Sequence, residues 1–273
     1  MAIDSHVHVW RAHPDFPRLT STIVSPHTAV PAELLDQYLD DHQIDRAVLV
    51  QPVYPGEDNG YVADCAADRP ERFAAVCVVD PRSADAADKL SYWVHERGCR
   101  GLRLRPKVSA EHEIFGAEAT FPLWKRAGDL RAVVSVLCGF EHLPTVRKMA
   151  LRFPGTSIVV DHLAHPDFTA NTPADRFEPL LSLADCANVT LKVSGYYYYS
   201  ETPWPYPDCQ PLFRTLLERF DAGRLMWGSD FPHVVLKTTY ARVFRALEDT
   251  WPGLSKEDRE KIFDGNARRL YWW

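Results

Sequence analysis

The sequence predicts an α/β chain folded as a single (β/α)8 TIM barrel, and three observations predict it. Short apolar, β-branched runs alternate with longer amphipathic stretches, the pattern of βαβ units around a parallel sheet. Eight such pairs fit within 273 residues, the number and length of a closed (β/α)8 barrel. Polar side chains gather at the C-terminal ends of the expected strands, the rim on which such barrels build their sites. An open doubly wound sheet is the alternative, but no GxGxxG follows an expected strand, so a dinucleotide fold has no direct support. With no linker and no low-complexity segment, residues 1–273 read as one domain.

The strands are expected at 2–9, 46–52 (RAVLVQP), 73–80 (FAAVCVVD), 100–105 (RGLRLR), 132–138 (AVVSVLC), 157–162 (SIVVDH), 188–194 (NVTLKVS) and 224–230 (RLMWGSD). Between them lie helical patterns. PAELLDQYLDDH opens on Pro31, a favourable first-turn residue. SADAADKLSYWVHERG runs to Gly98, a C-terminal cap signal. FPLWKRAGD, HLPTVRKMALRFPG, PLLSLADCAN, DCQPLFRTLLERFDAGR and LKTTYARVFRALEDTW follow. The stretch at about 195–207, with YYYY at 196–199, reads as an aromatic loop lining a substrate.

Composition excludes some classes. Hydrophobic residues make up 46% and charged residues 25%, ordinary for a globular chain that buries a sizeable core. A net charge of −6 argues against nucleic acid as main partner, because phosphate binding needs a basic surface. No apolar run approaches the ~18 residues of a membrane span. The N-terminus lacks a basic segment followed by an apolar one, as a secretory signal would have. Six scattered cysteines (Cys65, Cys77, Cys99, Cys138, Cys186, Cys209) form no CxxC pair, so free thiols and a cytoplasmic location are expected. The terminal Tyr271-Trp272-Trp273, read as exposed, would permit a homodimer.

The strand ends carry the chemistry. His6 and His8, at i and i+2 on the first strand, project to the same side. Such a pair can chelate a metal or hold a substrate and a water, though a polar strand face would look the same. Gln51 ends strand 2 and Asp80 strand 3, the latter before Pro81 and so a candidate helix cap. Arg103 and Arg105 end strand 4, both facing one way and both in need of an anion. Asp161 and His162 end strand 6, where Asp161 is expected to orient His162. Lys192 and Ser194 end strand 7, and Asp230 ends strand 8, where an unpaired carboxylate would be costly. His165 and His233 lie near strand ends as candidate substrate contacts. His13, His42, His95, His112 and His142 read as surface or loop residues, and His27 falls in a long loop that could reach the site.

IDSHVHVW, VVDHLAHPD, NVTLKVSGY and RLMWGSDFPH, in that order, with the ending IFDGNARRLYWW, resemble the amidohydrolase superfamily. The likeness covers essentially the whole chain. It is closest to the branch of small lactonases acting on sugar lactones and on pyrone or muconolactone acids. The resemblance implies a (β/α)8 barrel with His6, His8 and Asp230 as metal ligands and His162 beside the scissile group. The superfamily's binuclear pattern also uses a lysine on strand 4 and a histidine on strand 5. Here strand 4 offers Arg103 and Arg105, and strand 5 (AVVSVLC) has no histidine. One divalent ion, zinc or manganese, or none, is therefore expected. The missing histidine also counts against the related decarboxylases.

The expected reaction is hydrolysis of a small lactone. Asp230 would take the proton from water and return it to the leaving oxygen, which calls for burial to raise its pKa. His6, His8 and His162 would polarise the carbonyl, directly or through one ion. Arg103, Arg105, Lys192 and Gln51 would bind substrate, and the Tyr196–Tyr199 loop, with Tyr196 and Tyr197 foremost, and Trp204 would cover its ring. The alternatives are a metal-dependent decarboxylase or other amidohydrolase-type hydrolase of a small carboxylic acid, and a non-catalytic barrel that binds a small anion.

Overall fold

Each strand of a barrel sends alternate residues to the lumen and to the helices, and the core divides along that alternation. In the computed structural model, which describes residues 1–12, 28–52, 58–106, 114–168, 174–250 and 253–273, eight strands form one parallel sheet in sequence order. They are β1 (Ile3–Val7), β2 (Arg46–Val50), β3 (Phe73–Val78), β4 (Gly101–Leu104), β5 (Val133–Val136), β6 (Ile158–Val160), β7 (Val189–Val193) and β8 (Leu225–Trp227). Val48, Val50, Ala74, Val76, Val133, Val159 and Met226 form the inner cluster. Their strand neighbours, among them Ala47, Leu49, Ala75, Leu102, Val134, Val160 and Leu191, belong to the outer cluster beneath the helices.

The helices between strands are α1 (Ala32–Asp41), α2 (Gly60–Asp68), α3 (Ala86–His95), α4 (Phe121–Asp129), α5 (Leu143–Arg152), α6 (Glu178–Leu181), α7 (Tyr196–Tyr199) and α8 (Gln210–Phe220). After β8 come α9 (Tyr240–Thr250), α10 (Lys256–Glu260) and α11 (Asn266–Tyr271). Leu35 and Leu39 of α1, and Leu212, Phe213, Leu216 and Phe220 of α8, are buried at helical spacing. The barrel comes together between β1 and the residues after β8: Asp230 N–H donates to His6 O at 2.9 Å and His8 N–H to Phe231 O at 2.7 Å.

The far end of the barrel is plugged by α11, whose Ala267, Leu270 and Tyr271 join the inner cluster. Asn266 anchors it by donating from Nδ2 to Ala222 O (2.6 Å) and Leu225 O (2.8 Å). Tyr271, read from sequence as exposed, is therefore fully buried. Trp272 is half-buried against that inner cluster beneath Arg46, and Trp273 is exposed under Arg100.

The observed strands are shorter than expected, so Gln51, Asp80, Arg105, Asp161, His162, Ser194 and Asp230 all lie just beyond their strands. Asp80 does not cap a helix. It accepts from the backbone and guanidinium of Arg82 in a turn before α3. All six cysteines are free and buried. Among the described residues no helix is long and apolar enough to cross a membrane. His142, expected at the surface, is buried against Phe115, and His13, His27 and His112 lie outside the described residues.

Candidate active site at the barrel mouth

The site begins with an irregularity in β1. Ile3 packs in the inner cluster and Val7 in the outer one, although four residues apart in a regular strand they would share a face. The β1–β2 register shifts between Asp4 and Val7, and such a bulge re-aims the side chains that follow it. It turns His6 and His8 into the lumen, where their Nε2 atoms lie 3.2 Å apart. At the opposite side of the seam Gly228 leaves room for them: a Cβ there would lie 3.0 Å from His6 Cβ.

Asp230 sits among imidazoles. Its Oδ1 is 3.4 Å from His8 Nε2, 3.7 Å from His6 Nε2 and 3.9 Å from His162 Nε2. Burial opposes its charge, but the facing His162, His8, His233 and His6 more than offset that and hold the carboxyl well below the usual range. The expectation that burial raises its pKa is thus corrected: Asp230 is ionised. The imidazoles go the other way. Burial brings His162 and His233 each down to about 4. Burial, with the charge of Lys192, takes His6 well below its ordinary value.

His162 is placed by unusual backbone. His162, Leu163, Ala164 and His165 all have left-handed φ, between 53° and 60°, which costs about 1–2 kcal/mol per residue. This turn stacks His165 on His162 (centroids 5.9 Å, 15° between planes) and lays His165 against Tyr199. Ser194 Oγ holds His162 Nδ1 at 2.8 Å. Gly195, at φ +70°, lets the chain pass under that ring, since a Cβ there would approach His162 to 3.0 Å.

Asp161 does not orient His162, contrary to expectation. It is fully buried in the lumen. Its Oδ1 accepts from Ser135 Oγ (2.8 Å) and lies 3.1 Å from Lys192 Nζ, while Arg103 Nε is 3.4 Å from Oδ2. Lys192, expected to touch substrate, is likewise fully buried, with Nζ 3.1 Å from His6 Nδ1. It underlies the histidines rather than lining the mouth. Arg103 and Arg105 do project together, and both Nε atoms are buried without a hydrogen-bond partner. Burial and the charge of Arg103 lower Arg105 to about 10. Gln51 is buried and lines a cavity of about 180 Å3 with Trp10, Arg11 and Tyr61.

The tyrosines separate within one helical turn. Tyr196 is core, its ring edge-on to Phe213 and its hydroxyl on Val243 O (3.2 Å). Tyr197 is also buried, donating to Ser229 O (2.7 Å) just before Asp230. Both hydroxyls are taken up by backbone carbonyls. Tyr198 and Tyr199 are the half-buried pair, both within range of the Asp230 charge. Reading 196–199 as a loop hid this partition, which a 3.6-residue period would have given.

A divalent ion bound tetrahedrally holds its donors about 3.4 Å apart. His6 Nε2, His8 Nε2 and Asp230 Oδ1 have that spacing, and two overlapping groups, His6–His162–Asp230 and His8–Asp230–His233, also bring donors together. His6 Nδ1 faces both the Lys192 ammonium at 3.1 Å and the Asp161 carboxylate at 3.4 Å. A proton on Nδ1 has an acceptor in Asp161 and leaves Nε2 bare, so the donor set fits one divalent ion.

The amidohydrolase family profile matches residues 3–273. The chain belongs to the amidohydrolase family. Relatives include an L-fucono-1,5-lactonase of Burkholderia ambifaria, 27% identical over 98% of this chain and 94% of its own. A 2-pyrone-4,6-dicarboxylate hydrolase of Comamonas testosteroni is 28% identical over 99% of this chain and 90% of its own. A Burkholderia multivorans amidohydrolase solved with bound zinc superposes with a TM-score of 0.86 at 24% identity, covering 100% of this chain and 99% of the other. The chain is a member of this family of barrels and a hydrolase.

Proposed function

We propose that this chain hydrolyses the ester ring of a small lactone that carries a carboxylate. The observation that carries the reaction is Asp230, an ionised carboxylate ringed by three imidazole nitrogens at 3.4–3.9 Å. Those separations exceed a good hydrogen bond, so its Oδ1 keeps lone pairs for a water. Asp230 takes a proton from that water as its oxygen attacks the ester carbonyl. His162, flanking the carboxylate, offers an N–H group to the carbonyl oxygen as it gains charge. When the tetrahedral intermediate collapses, the C–O bond of the ring breaks and Asp230 returns the proton to the leaving oxygen. Water has then been added across the ester, giving a carboxylate and a hydroxyl.

The substrate's charge is argued from Arg103 and Arg105. Burying a guanidinium without full pairing is unfavourable, and the Nε of Arg105 is buried with no hydrogen-bond partner. A substrate carboxylate supplies the missing anion with a charge-assisted bond. Tyr199 and His165, ring against ring, form a flat wall suited to a planar ring.

The test is proton release against a panel of carboxylated pyrones, muconolactones and neutral sugar lactones, with and without chelator, for wild type and Asp230→Asn. The expected result is turnover of a carboxylated member and a loss of about a thousandfold in kcat for Asp230→Asn. Turnover of neutral sugar lactones alone would overturn the carboxylate reading. Near-normal kcat in Asp230→Asn would overturn the base.

A further inference from the structure

Asp4 accepts three hydrogen bonds, from β1, from the residues after β8 and from α9. Its Oδ1 accepts from the His6 N–H at 3.2 Å and from the Ser229 N–H at 2.9 Å. Its Oδ2 accepts from Tyr240 Oη at 2.6 Å. The side chain is fully buried. A carboxylate is tolerated at such depth only when its lone pairs are met, and here donors engage both oxygens.

Two of these donors belong to the segments that carry His6 and Asp230. The His6 N–H lies in the stretch of β1 where the register shifts. Ser229 immediately precedes Asp230, whose φ of 58° is left-handed, a conformation that persists only where the surroundings impose it. Ser229 is held from two sides: its N–H donates to Asp4 and its carbonyl accepts from Tyr197 Oη at 2.7 Å. Because one oxygen of Asp4 receives both amides, it sets the separation of the two segments at a single point. Tyr240 fixes that carboxylate in turn. Its buried ring packs against Tyr38 and Trp227, with centroids at 5.8 and 6.2 Å, so the hydroxyl reaches Oδ2 from a rigid base.

We propose that Asp4 is a positioning residue for the hydrolysis: it clamps the β1 bulge to the end of β8 and so sets the His6 ring against Asp230, with Tyr240 holding the carboxylate of the clamp in place. His6 Nε2 and Asp230 Oδ1 lie 3.7 Å apart. A displacement of about 1 Å between groups that act together lowers the rate about a hundredfold. The effect on rate rests on the lactone reading, whereas the link between the two segments does not.

The experiment has two arms on full-length protein at pH 7.5. The first needs no substrate. Amide 15N–1H spectra of serine- and histidine-labelled protein are compared for wild type and Tyr240→Phe, with the two amides assigned from their loss in His6→Asn and Ser229→Ala. Both the His6 and the Ser229 amides are expected to move when Tyr240 loses its hydroxyl, while that of Ser182 stays. If neither moves, or only one, Asp4 does not join the segments and the proposal is overturned. In the second arm kcat and KM are measured for wild type, Tyr240→Phe, Asp4→Asn, their double variant and Asn266→Ala. Tyr240→Phe is expected to lower kcat about tenfold with KM little changed. The double variant is expected to lose no more than Asp4→Asn alone, because Tyr240 acts through Asp4. Asn266→Ala loses its bonds at the far end of the barrel and is expected to keep kcat, which separates positioning from stability. Normal kcat in Tyr240→Phe, an equal loss in Asn266→Ala, or losses that multiply in the double variant overturn the proposal. Should Asp4→Asn fail to fold, Tyr240→Phe against Asn266→Ala decides this arm. If no lactone is turned over, the lactone reading fails and the amide arm still decides the link.

Discussion

Asp230 and the imidazoles around it need opposite protonation states, and burial with mutual charge supplies both. The carboxylate is held ionised, while burial brings His162 from an ordinary 6.5 to about 4. The pH dependence of kcat/KM follows from the sign of these shifts. His162 gives no inflection at pH 6–7, where an unperturbed histidine would titrate. The rate should stay level from neutral pH down to about 5 and fall as pH approaches 4. A rate profile on a lactone that does not itself titrate in this range checks this, and a break near 6.5 would mean His162 is exposed to water. Arg105 lends itself to a second test. Arg105→Met removes a largely buried charge whose Nε has no hydrogen-bond partner. It should raise KM for a carboxylated lactone by about ten- to a hundredfold, the worth of a charged hydrogen bond, with kcat little changed. Stability should rise by about 1 kcal/mol, readable as a higher urea midpoint. A lower midpoint would mean that Arg105 holds the fold and not the substrate.

Single elements decide where these residues point. Gly195 is the only residue type that fits between β7 and α7, because φ is +70° and His162 lies 3.0 Å from a Cβ placed there. Gly195→Ala should cost about 1–2 kcal/mol of stability. By pushing His162 it should lower kcat about ten- to a hundredfold with less effect on KM. An unchanged kcat would show that the ring's position is not critical. Sequence periodicity conveyed the barrel because each strand's alternation and each helix's 3.6-residue stripe are local signals, as Val48 against Leu49 and Leu35 with Leu39 illustrate. It also placed Arg103, His162 and Asp230 on one rim. It could not give the β1 bulge that turns His6 inward, since no residue type between Asp4 and Val7 announces a register shift. Nor could it give the left-handed turn at His162–His165, made of residues that ordinarily avoid that conformation. Lys192 was misread for the same reason: at the end of a strand, depth in the lumen separates a substrate contact from a group beneath the histidines.

At the scale of the whole molecule, the polar lumen makes the barrel sensitive to acid. His6, His162, His165 and His233 all have folded pKa values below the ordinary 6.5, in each case with burial as the largest cause. As pH falls below 6.5 the unfolded chain takes up protons that the folded chain refuses, so stability present above 6.5 is lost toward pH 4. Asp161 and Asp230, where burial is outweighed by facing cationic groups, continue the loss below 3.8. Asp4 opposes it. Burial raises its carboxyl to about 6 despite bonds from Ser229 N–H and Tyr240 Oη. Its contribution is fully present below 3.8 and disappears as pH rises through 6. Four histidines outweigh one aspartate, and each unmatched proton is worth about 1.4 kcal/mol per pH unit. Urea unfolding at pH 7.5 and pH 5 should therefore show a midpoint that drops markedly with acid while the slope stays constant. Asn266→Ala, which leaves Ala222 O and Leu225 O without their donor beneath the barrel, should lower the midpoint at both pH values by a similar amount, about 1–3 kcal/mol. The two effects should add, because one originates at the mouth and the other at the plug. A midpoint independent of pH in wild type would mean that the buried imidazoles are protonated in the folded barrel, and the ionised Asp230 would then be paired with them rather than free to act as a base.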